Sequence, residues 1–64
     1  MKTIQDLVNE IEPMFTEFMT EATSNLNGNK AAGRRARKVT LTLTKLFKEY
    51  RTTSILSERP TQDE

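Results

Sequence analysis

The chain has 64 residues, no cysteine and no histidine, so it forms at most one small domain with neither a disulfide nor a conventional zinc site to brace it. The lack of cysteine fits a reducing compartment. No stretch approaches the roughly 20 apolar residues that span a bilayer, and Asp6 and Glu10 fall where a signal peptide needs an apolar core, so a cytoplasmic protein without a membrane partner is expected.

The net charge is only +1, but it is segregated. Residues 1–26 carry one Lys against five acids, residues 27–51 carry eight Lys/Arg against Glu49 alone, and residues 52–64 carry one Arg against three acids.

Thr3 followed by Asp6 approximates a capping box. From there Ile4, Val8, Ile11, Phe15, Phe18 and Ala22 recur at alternating spacings of four and three, which is one face of a helix over about residues 3–26. Leu7, Met14 and Met19 widen the face into a stripe suited to a globular core. Pro13 interrupts it: without an N–H, and with its ring against the Asn9 carbonyl, it implies either a kink or a short helix 3–11 preceding a longer one.

Residues 25–29, Asn-Leu-Asn-Gly-Asn, read as a turn, with Gly28 ending the first helix and Asn29 capping the second. The second face comprises Ala32, Ala36, Val39, Leu43, Leu46, Tyr50 and Thr53 and predicts a helix over about 30–55. Val39 to Thr44 also alternates with period two, as a strand would, but the helical spacing passes through it unbroken and a lone strand would have no partner. The helical domain therefore spans 1–56, and residues 57–64, with no apolar member, read as a disordered tail.

The fold class is thus all-α, a two-helix antiparallel hairpin. Such a hairpin has little core of its own, and two copies packed stripe to stripe would complete a four-helix bundle. The expected dimer core is Ile4, Val8, Ile11, Phe15, Phe18, Val39, Leu43, Leu46 and Tyr50.

On the second helix, Lys30, Arg34, Arg37, Lys38, Lys45 and Lys48 fall opposite the apolar face and form a row about 27 Å long at 1.5 Å per residue. Charged residues on a helix face often serve solubility alone, but an ordinary solvated face mixes signs, and this row holds six bases and no acid. Double-stranded DNA, contacted through its phosphates, is the polyanion such a row can track. Arg35 sits at the edge of the apolar face and is expected to pair with a first-helix carboxylate, whereas Leu41 is apolar within the basic row. No aromatic interleaves with the row, so base stacking is not the expected mode, and Phe15, Phe18, Phe47 and Tyr50 read as packing residues. Without His or Cys, and with no Gly-rich phosphate loop, no enzyme, cofactor, metal or small-molecule substrate is expected.

The run Gly28-Asn29-Lys30-Ala31-Ala32-Gly33-Arg34-Arg35-Ala36-Arg37-Lys38, continued by Leu43, Lys45, Lys48, Tyr50, Arg51, Ser54 and Ile55, closely resembles the bacterial linker-histone-like proteins of chlamydial type. The resemblance implies DNA binding without sequence preference and a nucleoid-associated, architectural role. Where the chlamydial members carry a long Lys/Ala/Pro-rich tail, this sequence has an acidic Thr-Gln-Asp-Glu, which implies modest binding or regulation rather than strong condensation. The alternative reading is a helical adapter or assembly module that binds an acidic protein surface.

Overall fold

The computed structural model describes residues 2–58. Two helices, α1 (Ile4–Leu26) and α2 (Lys30–Glu58), form an antiparallel hairpin. The strand alternative for residues 39–44 does not occur, since that segment is the middle of α2.

α1 begins at a complete capping box: the Asp6 backbone N–H donates to Thr3 Oγ1 at 3.1 Å, and the Thr3 backbone N–H donates to Asp6 Oδ2 at 3.0 Å. Two of the N–H groups left over at a helix start are thereby satisfied. The helix continues through Pro13 without ending, and a separate helix 3–11 does not form. Pro13 and Asn9 are both exposed, so the Asn9 carbonyl that loses its intrahelical donor can turn to water, while Ile11 and Met14 on the other side are half-buried against α2.

The reversal is closed by backbone hydrogen bonds. Asn29 N–H donates to the Ser24 carbonyl at 3.1 Å and Gly28 N–H to the Asn25 carbonyl at 3.0 Å. Gly28 adopts φ +107°, a conformation that side chains rarely tolerate. Asn29 then caps α2, its Oδ1 accepting from the Ala32 backbone N–H at 3.0 Å. α2 runs to Glu58, so Ser57 and Glu58, expected to open the tail, are its last residues; residues 59–64 of that tail lie outside the described residues.

The hairpin buries Leu7 of α1 and Ala32, Gly33, Ala36, Val39, Leu43 and Leu46 of α2. The second apolar face thus lies largely where its spacing puts it. The first is rotated: Ile4, Leu7, Ile11, Met14 and Phe18 turn toward α2, whereas Val8 and Phe15 remain 42% and 52% exposed. The apolar stripe of α1 is wider than one neighbouring helix can cover, and α2 covers the Leu7–Met14 edge of it. At 49 × 19 × 14 Å the molecule is a single layer of helices, so both of its broad faces meet solvent. Stable domains ordinarily pack two layers.

Candidate nucleic-acid interface

The two broad faces differ in chemistry. One carries the ion pairs found among the described residues: Lys2 Nζ bridges Glu10 and Glu49, each at 3.1 Å, and Arg35 Nε meets Glu21 at 3.0 Å. Arg35 therefore pairs with a first-helix carboxylate, as its place beside the apolar face suggested. Nothing local in the sequence marks Lys2, because Glu49 is 47 positions away. Hydrogen bonds to Glu49 and then Glu10 raise the Lys2 pKa above its ordinary 10.5.

The opposite face is apolar. Val8, Ile11, Phe15, Phe47 and Tyr50 line a shallow groove with Glu12 at its rim, and the groove continues past Phe18, Thr40, Leu43 and Thr44. Of the side chains expected in a dimer core, Val39, Leu43 and Leu46 are buried within the single hairpin, Ile4, Ile11 and Phe18 are half-buried, and Val8, Phe15 and Tyr50 are exposed. Met19 and Phe47 are exposed as well. These aromatics flank the packing between the helices and stand apart from the basic row.

The outer edge of α2 carries the row. Lys30, Arg34, Arg37, Lys38, Lys45 and Lys48 are all exposed, and the helical register turns them away from Ala36, Val39, Leu43 and Leu46, which face α1. None of the three ion pairs above uses one of the six. The single acid of residues 27–51, Glu49, is half-buried and held by Lys2, which draws its carboxylate toward the ion-paired face and leaves the edge uniformly positive. Leu41 lies within the row and is 72% exposed. Thr40, beside it, donates its hydroxyl back to the Arg37 carbonyl, a local bond that engages the hydroxyl within the helix.

Among the described residues there is no cluster of acids suited to a metal ion and no helix long and apolar enough to cross a membrane. The arrangement is an elongated hairpin with a positive edge, which offers charge rather than an enclosed site.

No curated protein and no solved structure matches the chain. Residues 5–59 match the family described as histone H1-like protein Hc1. The match extends beyond the resemblance visible in residues 28–55 and takes in nearly all of α1. Because it covers most of the chain, the protein belongs to the histone H1-like Hc1 family, a group of non-catalytic DNA-binding proteins.

Proposed function

We propose that the protein is a dimeric architectural DNA-binding protein of the nucleoid, which grips phosphates without reading sequence through Lys30, Arg34, Arg37, Lys38, Lys45 and Lys48. The observation that carries this reading is the single-sign outer edge of α2, whose six bases enter none of the ion pairs among the described residues. Side chains held on one face of a helix present fixed charges to a duplex backbone whose charge recurs about every 1.7 Å along its axis. Phosphate contacts fix position and carry no sequence information. Family membership supports the general role on DNA.

Dimerisation is supported by the uncovered apolar face. Val8, Phe15, Met19, Phe47 and Tyr50 are each roughly two-fifths to one-half exposed. At about 100 Å² apiece for such side chains, covering them on both copies buries on the order of 1,000 Å², near the floor for a specific interface. The edge that carries the basic row is perpendicular to this face, so both surfaces can be occupied at once.

The test is retention of the purified chain on random-sequence duplex DNA with release by salt, together with light scattering for the dimer. If the protein passes through a duplex column at low ionic strength, the alternative of an adapter for an acidic protein surface takes its place.

A further inference from the structure

The function of such a dimer depends on how its two copies are turned. Resting on the reading above, we infer that the hairpins pair about an axis parallel to their helices, so that α2 of each copy lies over α1 of the other, the two basic edges point in opposite directions, and one dimer joins two duplex segments.

Two such faces that meet about a two-fold axis with their helices nearly aligned, as in a four-helix bundle, do so in two ways, since an isologous contact uses the same patch on both copies. With the axis across the helices, α2 lies on α2, α1 on α1, and both basic edges end on the same side. With the axis along the helices, α2 lies on α1 and the edges end on opposite sides. The apolar groove fits either arrangement, and the charges at its rims choose between them.

Arg37, Thr44 and Arg51 recur at intervals of seven along α2, which keeps them near one line of the helix; Thr44 marks that line as the rim of the groove, and Arg37 stands where this rim meets the basic edge. All three are exposed. Across the groove, Ile11 stands by Phe47 and Phe15 by Thr44, so the groove is centred near Thr44 on α2 and near Met14 on α1. An axis across the helices at that centre sets Arg37 of each copy opposite Arg51 of the other, twice. It also brings the two Glu12 carboxylates within about a turn of one another. Like charges facing each other at an interface oppose association.

An axis along the helices keeps every residue at its own level. Glu12 of one copy then comes level with Phe47 of the other, about 6 Å along the axis from Arg51 at 1.5 Å per residue, and opposite signs face each other on both rims. Phe15 of each copy meets the Leu43–Phe47 segment of the other, which adds aromatic packing to the charge match.

In that arrangement Arg34, Lys38, Lys45 and Lys48 of the two copies lie on opposite sides of a bundle with helices of 23 and 29 residues. Duplex DNA, with a persistence length of about 50 nm, would have to turn through nearly ~180° to touch both edges of a body a few nanometres across, at a bending cost that a second, straight segment does not incur. The second edge is therefore free for a second segment.

The chain has no cysteine, so introduced thiols report the arrangement directly. Glu12 and Thr44 are exposed, and Glu12→Cys and Thr44→Cys should fold. Under mild oxidation, an equimolar mixture of the two variants is expected to give the mixed cross-linked dimer, with Thr44→Cys alone giving little. The unmodified chain is then added to bead-immobilised duplex together with a labelled free duplex of different sequence. Capture of the labelled duplex, rising and then falling as protein goes from limiting to saturating, is the expected result. Efficient self-cross-linking of Thr44→Cys, or a dimer that binds single duplexes and captures no second one, overturns the inference and leaves the DNA-binding reading standing. A monomer, or a chain that binds no duplex, overturns that underlying reading itself.

Discussion

The amide of Asn25, near the end of α1, lies directly over Gly33 in the first turns of α2. A Cβ placed on Gly33 would stand 2.7 Å from Asn25 Nδ2 and 2.8 Å from its Cγ, and the same Nδ2 donates to the Asn29 carbonyl at 3.2 Å. Glycine inside a helix ordinarily costs about 1 kcal/mol against alanine; here it gives room for a side chain that ties the turn to both helices.

Gly33→Ala should therefore fail to deliver the usual gain. The new methyl must push Asn25 off its bond to Asn29, a loss of about 0.5–1.5 kcal/mol that offsets the helix-propensity term. In an Asn25→Ala background the obstruction is gone, and the same substitution should stabilise by about 1 kcal/mol. A double-mutant cycle by urea denaturation reads the coupling directly; equal effects of Gly33→Ala in both backgrounds would show that the contact has no energetic weight.

The rotation of α1 predicts a contrast between neighbours. Leu7 is fully buried and Val8 is 42% exposed, although the alternating spacing favours Val8 as the packing residue. Leu7→Ala should cost about 2–5 kcal/mol, enough to unfold a hairpin with so small a core. Val8→Ala should leave the helical circular dichroism intact and weaken self-association instead. Comparable thermal destabilisation by the two, independent of protein concentration, would place Val8 inside the hairpin.

Periodicity in the sequence locates α2 well because its apolar face is narrow: Ala32, Ala36, Val39, Leu43 and Leu46 leave one way to pack. In α1 the stripe runs from Met14 through Ile11 to Val8 and Met19, and spacing alone does not say which edge of a wide stripe a single partner will cover. The basic row is legible for the same reason as the α2 core, since both follow from one helical register. Lys2 and Gly33 are invisible at that level. Their partners Glu49 and Asn25 are brought to them by the hairpin, and residue types along the chain carry no sign of such a contact.

The Lys2 bridge makes a pH prediction. Its pKa is raised above 10.5 by hydrogen bonds to Glu49 and Glu10, so the bridge's contribution to stability is fully present below the unfolded-state value of about 10.5 and is lost as the pH climbs through the folded-state value. Wild type and Lys2→Met should differ in thermal midpoint at pH 7 and converge in strongly alkaline solution. A difference that persists unchanged there would assign the effect to packing of the Lys2 methylenes rather than to its charge.

The basic edge makes the prediction with most consequence for function. Arg34, Lys38 and Lys45 are exposed and take part in none of the described ion pairs, so reversing all three to Glu should preserve the helical spectrum while abolishing retention on duplex DNA. Binding by the unaltered chain should weaken steeply with salt, because each neutralised phosphate releases condensed counterions. With about four contacts per subunit, log K should fall against log salt with a slope near −3.6, at about −0.9 per contact. Each single reversal should reduce that slope by about one contact and weaken random and AT-rich duplexes alike, since phosphates carry no base identity. Lys2→Gln gives an independent check on the same edge. Freed from Lys2, the Glu49 carboxylate is available to Lys45 one turn earlier, and the slope should fall even though position 2 lies off the edge. A salt slope near zero, or a triple reversal that still binds duplex as tightly as the unaltered chain, would remove the outer edge of α2 from the interface.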